Sequence, residues 1–202
     1  MRGPDKLMVA THNRGKFREF RELLDPLGIV IEAYPGELEV VAETGATYAE
    51  NAALKARELA RAMGVYALGD DSGVEVDALG GEPGILSARY VSEDPWVNSR
   101  EILLRLMEVP WERRTARMRA VLCLSNPKGE VRFFEGVVEG MILGWPRGRG
   151  GFGVDPIFSL NGKTSLAEMD AIKKHAISHR GQAVRQLLDY WKSRSDDALF
   201  GV

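Results

Sequence analysis

The stretch Ala67-Leu68-Gly69-Asp70-Asp71-Ser72-Gly73-Val74-Glu75-Val76-Asp77 decides how the chain is read, because a short apolar strand runs directly into paired carboxylates. Adjacent acids at a strand end repel each other, and the cost is sustained where a cation sits between them or where one must hold a proton. A hard, oxygen-seeking ion such as Mg2+ meets both needs. Asp-Asp-Ser-Gly is equally a turn sequence, since each of those residues favours turns for its own backbone reason. The flanking segments separate the two readings.

Upstream, Leu7 to Ala10 forms a buried first strand, and Thr11-His12-Asn13-Arg14-Gly15-Lys16 is the loop that leads into a helix. That helix spaces Phe17, Phe20, Leu23, Leu24 and Leu27 at threes and fours and stops at Gly28. Helix-start N–H groups beside Lys16 make a natural anion site, although an ordinary strand-to-helix connection has the same look. It is not a Walker A loop: the first glycine is missing, and Phe17 stands where the Mg2+-binding hydroxyl belongs. Ile29-Val30-Ile31 is a second strand, followed by turn signals at Tyr34-Pro35-Gly36. Thr47 and Glu50 have capping-box spacing for an Ala-rich helix to about Met63, ended by Gly64. Glu43 lies on the loop before it. Asn51 and Lys55 share one face of it, one turn apart, as cleft residues or as a solvated stripe.

Downstream, Leu79 to Gly84 is too rich in Gly and Pro for regular structure. Asp94-Pro95 opens a helix carrying Val97, Leu103, Leu104 and Met107, which ends before Pro110. From Thr115 to Ile142 the pattern is that of an antiparallel hairpin turning at Asn126-Pro127-Lys128-Gly129. Gly144 to Gly153 is glycine-rich, and Phe152 between two glycines has nothing local to pack against, so it either stacks on a planar ligand or returns to the core. Ser165 and Glu168 cap a short helix running toward Lys173-Lys174. Ser178-His179-Arg180-Gly181 precedes a last amphipathic helix bearing Val184, Leu187, Leu188 and Trp191, after which the tail frays. His175 and His179 have the spacing of a zinc pair, but Ser178 reads as a helix start between them.

Composition excludes several classes. A chain of 202 residues with 45% hydrophobic content buries a sizeable core as one domain, or as two closely joined lobes. A formal net charge of -2 gives no sequence-wide basic field for polymeric nucleic acid. Cys123 is the only cysteine, which rules out an internal disulfide and multi-thiolate zinc and suits a reducing cytoplasm. The apolar run at the N-terminus is too short for a signal-peptide core or a membrane span.

Taken in order, six motifs resemble those of the inosine/xanthosine triphosphate pyrophosphatases. They are Thr11 to Lys16; Glu43-Thr44-Gly45 with Glu50-Asn51-Ala52 and Lys55-Ala56; Asp70-Asp71-Ser72-Gly73; Leu79-Gly80-Gly81 with Pro83-Gly84-Ile85 and Ser87 to Tyr90; Gly150-Gly151-Phe152-Gly153 with Asp155 to Phe158; and Ser178 to Ala183. The resemblance spans about residues 7 to 190. Val154 stands where an aromatic is common, and Lys173 where an acid is common. The resemblance implies a single domain over 1–202 with an elongated, two-lobed α/β fold: a long mixed sheet flanked by helices, with a cleft between the lobes. It also implies a homodimer that hydrolyses ITP, dITP and XTP to the monophosphate and pyrophosphate with Mg2+ as cofactor.

Carried over by position, Thr11, His12, Asn13, Arg14, Gly15 and Lys16 hold phosphate. Glu43 and Asp71 serve the metal, Asp71 is the proton acceptor, and Lys55 and Ser72 contact the triphosphate. Phe152, Gly153, Val154, Asp155, Lys174, His179 and Arg180 form the nucleoside pocket. Inosine offers O6 as acceptor and N1–H as donor, so Arg180 or His179 donating to O6, with Asp155 or a backbone carbonyl accepting from N1–H, would reject adenine. A Maf-like pyrophosphatase for pyrimidine or modified nucleotides is opposed by the Ser-His-Arg and Gly-Gly-Phe-Gly stretches. A non-catalytic nucleotide-binding regulator is opposed by the presence of both Glu43 and Asp71.

Overall fold

In the computed structural model, residues 6–33 and 42–193 are described. Six strands form one mixed sheet in the order β2-β1-β3-β4-β5-β6. Strand β1 (Lys6–Ala10) pairs in parallel with β2 (Val30–Ala33) and with β3 (Tyr66–Val76). Parallel neighbours need a crossover, and two helices supply it: α1 (Arg14–Leu24) between β1 and β2, and α2 (Tyr48–Met63) between β2 and β3. Strands β4 (Thr115–Ser125) and β5 (Val131–Ile142) are sheet neighbours joined by the expected turn, in which Gly129 N–H donates to the Asn126 carbonyl. So short a link makes the pair antiparallel. The short β6 (Phe158–Ser159) closes the sheet antiparallel to β5.

The chain packs as two compact units, with Asp71, Ala120–Glu135 and Arg180 at the bounds of the first and Ser72–Arg119 with Gly136–His179 making the second. The core of the first joins Leu7, Val9, Leu68, Leu122 and Leu124 from the sheet to Phe20 and Leu24 of α1 and to Val184, Leu187 and Trp191 of α5 (His179–Lys192). These are the apolar positions read from both helices' three-and-four spacing. The second unit buries Val74, Val76, Ile102, Ala116, Ile142, Ile157, Phe158 and Leu166 together.

Register positions the chemistry. Ala10 pairs with Gly69, so β1 ends and its following loop begins beside Asp70-Asp71. Ligands of parallel sheets gather at such carboxyl ends. Gly69 is required there: a Cβ would lie 2.1 Å from the Ala52 carbonyl oxygen of α2. That contact, with Ala52 and Ala56 fully buried, lays α2 against β3 and turns Asn51 and Lys55 toward the acids.

Several expectations are corrected. Asp70-Asp71-Ser72-Gly73 is neither a strand end nor a turn, because β3 continues through it to Val76. Helix α1 begins at Arg14, capped by the Asn13 side chain accepting from Lys16 N–H, so Lys16 sits in the first turn rather than in the loop. The second strand starts one residue later, at Val30, and ends at Ala33. Helix α3 (Pro95–Arg105) is capped by Asp94 with Pro95 at its start, but it stops short of Met107, and Val97 and Leu104 face outward while Asn98, Ser99 and Ile102 are buried. Buried polar residues there disguise the face: the Asn98 amide is spent on the Val91 and Ser92 backbone. Ser165 and Glu168 form a capping box on a single 3-10 turn, whereas Lys173-Lys174 lie on a separate helix α4 (Ala171–Ile177) started by Asp170. His175 is on α4 and His179 opens α5, so they share no helix face. The turn signals at Tyr34-Pro35-Gly36 and the tail beyond Ser193 lie outside the described residues. Among the described residues, no helix is long and apolar enough to cross a membrane.

Candidate active site

In the first unit the two acids of β3 are adjacent in sequence and opposite in environment. Asp70 is 1% exposed, and its Oδ2 lies 2.5 Å from Lys16 Nζ, with Arg180 Nε 3.7 Å from Oδ1. Burial alone would raise its pKa, but Lys16, Arg180 and Lys55 together outweigh burial and hold the carboxyl far below the usual carboxylate range. Asp71 is 4% exposed, and its Oδ2 accepts from Asn51 Nδ2 at 3.0 Å. Burial raises its pKa and nearby Glu43 adds to the rise, against the pull of Lys55, Lys16 and the Asn51 amide. Environments that push two neighbouring carboxyls apart are how one becomes a fixed counter-ion and the other a proton acceptor.

The cations are equally placed. Lys55 Nζ bridges Glu43 Oε1 at 2.6 Å and the Asp70 carbonyl at 2.5 Å. Burial lowers the pKa of Lys16, Asp70 raises it, and Lys55 and Arg180 lower it again. Of the first loop, Thr11 Oγ1 accepts from Asn13 N–H, Asn13 caps α1, and His12 and Arg14 are exposed. Arg180 is 2% exposed, its Nη1 2.6 Å from Glu19 Oε2 and its guanidinium 5.6 Å from the Phe20 ring centroid.

Glu43 and Asp71 are hard oxygen donors within electrostatic reach of each other. Among the described residues, no group of three or more His, Cys, Asp or Glu side chains is disposed to hold a metal alone. A two-carboxylate set fits Mg2+ as that ion is usually bound, with waters and substrate phosphates completing its octahedron.

In the second unit, Asp155 is buried and its Oδ2 accepts from Phe152 N–H at 2.7 Å and from Lys174 Nζ at 2.7 Å. Lys174 Nζ also stands 5.1 Å from the Phe152 ring centroid. The glycine-rich loop is ordered from behind: Arg147 donates to the Lys163 carbonyl and to Glu168, and Gly150 N–H donates to the Ala167 carbonyl. Gly153 has φ +61 and its carbonyl accepts from Ser99 Oγ; Val154 packs on the core and His179 is buried. Ser72 follows Asp71 in β3.

Sequence reasoning brought Lys16, Glu43, Lys55 and Asp71 to one place, but it missed Asp70 as the anchor of Lys16 and Glu19 as the partner of Arg180. A signal existed for Glu19. Lys16, Glu19, Phe20, Leu23 and Leu24 follow the i, i+3, i+4, i+7, i+8 stripe, and charges on a buried stripe mark buried pairs.

Comparison with known proteins follows the same line. The dITP/XTP pyrophosphatase of Symbiobacterium thermophilum is 46% identical over 184 residues, covering 91% of this chain and 93% of that protein. A dITP/XTP pyrophosphatase of Thermus thermophilus is 48% identical over 194 residues, covering 93% and 92%. The structure of a HAM1 protein from Coxiella burnetii superposes with a TM-score of 0.81 at 36% identity, covering 94% of this chain and 99% of that one. With the Ham1 family model matching residues 7–190 as well, the chain belongs to the Ham1 family.

Proposed function

We propose that the protein hydrolyses non-canonical purine nucleoside triphosphates, ITP, dITP and XTP, to the nucleoside monophosphate and pyrophosphate. The observation that carries this is the sorting of the paired acids: Asp70 is spent on Lys16, while Asp71 keeps a raised pKa opposite Glu43. The dITP/XTP pyrophosphatase activity for which its relatives are named agrees with that chemistry.

Water attacks the α-phosphorus, the bond to the bridging oxygen breaks, and pyrophosphate leaves. Asp71 orients the water and takes its proton, a role suited to a carboxyl whose pKa is raised by burial. Lys16 and Lys55 offset charge on the phosphates, with Thr11 to Gly15 and Ser72 contacting the same triphosphate. Glu43 and Asp71 would hold Mg2+, which when bound supplies Lewis-acid stabilisation of the phosphoryl oxygens.

By the family resemblance, nucleoside binding falls to Phe152, Gly153, Val154, Asp155, Lys174, His179 and Arg180. Asp155 serves it by fixing the Phe152 backbone and the Lys174 ammonium, because its Oδ2 already accepts from both. The expected partners of the purine 6-oxo group are Arg180 and His179. The working assembly is a homodimer, as the family resemblance implies, in the reducing cytoplasm that a single cysteine suits.

Incubation with ITP, dITP, XTP, GTP, ATP and dTTP in Mg2+ and 18O-labelled water, with products resolved by mass, tests the proposal. Labelled monophosphate and unlabelled pyrophosphate from ITP, dITP and XTP are expected. Preferred cleavage of dTTP would indicate a Maf-like enzyme instead, and binding without cleavage a regulator.

A further inference from the structure

Two side chains of α2 tie the Glu43 segment to the acidic stretch of β3. Lys55 spans Glu43 and the Asp70 carbonyl, and one turn earlier Asn51 makes the second tie. Asn51 is fully buried; its Oδ1 accepts from Gly45 N–H at 2.8 Å and its Nδ2 donates to Asp71 Oδ2 at 3.0 Å. The partners fix the amide's orientation. A backbone N–H only donates and an ionised carboxylate only accepts, so reversing the amide would oppose like groups at both ends. Gly45 is shaped for the contact: a Cβ there would lie 2.8 Å from Asn51 Oδ1 and 2.6 Å from Glu50 Cβ. Glu50 secures the same segment by accepting from Ala46 N–H at 2.6 Å.

We propose that Asn51 is a positioning residue for the divalent cation: it sets the spacing and direction of Glu43 and Asp71 by holding Gly45 and Asp71 through one amide. The inference rests on the reading of Glu43 and Asp71 as the metal-holding pair. A hydrogen bond that orients a ligating carboxylate typically governs metal affinity by about 10- to 100-fold, without itself touching metal or substrate.

The test uses the full chain with Mn2+ as probe, read as the electron paramagnetic resonance signal of unbound Mn2+, in the presence of α,β-methylene-ITP. Asn51→Leu keeps the volume and removes both hydrogen bonds, and Gly45→Ala breaks the tie from its other end. The expected result is Mn2+ affinity weakened about tenfold or more in each, with metal-free nucleotide affinity within about threefold of wild type. The Mg2+ concentration for half-maximal rate should rise in the same proportion. Mn2+ affinity within about twofold of wild type in a folded variant would overturn the inference. So would a parallel loss of Mn2+ affinity, nucleotide affinity and melting temperature, which marks a purely structural residue. If Asn51→Leu does not fold, Gly45→Ala decides by the same criteria. Failure of the wild type to bind Mn2+ would remove the metal reading itself, and the inference with it.

Discussion

Replacing each of the paired acids by its amide should give opposite outcomes, although the residues are adjacent and the change is isosteric. Asp70→Asn leaves Lys16 and Arg180 without the carboxylate they share, inside a site where Asp70 is fully covered and Arg180 nearly so. Removing one partner of a buried ion pair costs about 3–5 kcal/mol. At about 2–4 °C per kcal/mol for a chain of this size, melting should fall by roughly 6–20 °C. Asp71→Asn removes a carboxyl whose charge is penalised by burial and by Glu43, so the fold should keep or gain stability while turnover falls by about 100-fold or more. The pH dependence separates them further. Asp71 has a raised folded pKa, so its contribution to stability is full below its unfolded value of 3.8 and is lost as pH rises through the folded pKa. Asp70 has a depressed one, so its contribution is present above 3.8 and is lost as pH falls toward the folded pKa. Relative to wild type, urea midpoints without Mg2+ should therefore rise with pH in Asp71→Asn and fall as pH rises toward 3.8 in Asp70→Asn. An Asp70→Asn protein that melts like wild type, or an Asp71→Asn protein retaining more than about a tenth of turnover, would refute the division of labour.

Other substitutions read the remaining parts of the site. Lys16→Ala should raise the KM for ITP by about tenfold or more with a smaller change in kcat, measured by steady-state kinetics, because the lost charge serves binding of the triphosphate. Gly69→Ala drives a Cβ to 2.1 Å from the Ala52 carbonyl and pushes α2 off β3; the expected loss is about 1–3 kcal/mol by urea denaturation, with activity falling further as Asn51 and Lys55 move away from Asp71. Arg180→Ala should lower kcat/KM on ITP by about ten- to a few-hundredfold with little change on ATP, since a charge-assisted bond to the 6-oxo group is worth about 1.5–3 kcal/mol. It should also lower the melting temperature, because Glu19 and Asp70 lose their guanidinium; an unchanged ITP-to-ATP ratio would leave Arg180 only that internal role.

Elements with strong local signals were legible in the sequence. Asp94-Pro95 and Thr47 with Gly64 mark helix ends that the structure reproduces, because caps are set by the neighbouring three or four residues alone. The nature of Asp70-Asp71-Ser72-Gly73 was not, because its turn preference is overridden by tertiary pairing: Gly69 takes its register from Ala10, and the strand then continues to Val76. The outward face of α3 was missed for a related reason. Asn98 and Ser99 are buried through hydrogen bonds to Val91, Ser92 and Gly153, which periodicity in hydrophobic residues does not register.

Within the site, the composition of the charge cluster was visible and its pairing was not. Lys16, Asp70 and Arg180 come from α1, β3 and α5, and nothing local links positions so far apart in sequence. The expectation that two adjacent acids need a cation between them was therefore only half of the physics. Along a strand, successive side chains point to opposite faces, so Asp70 and Asp71 are separated by the pleat before any ion is considered. Lys16 and Lys55 act on both, but the direct partners differ: Asp70 meets the cations of α1 and α5, Asp71 the amide of α2, with the carboxylate of Glu43 near it. A turn would have presented both to the same solvent and left their pKa values nearly alike. It is because the pair lies within a strand that one acid stays ionised while burial and Glu43 raise the pKa of its neighbour.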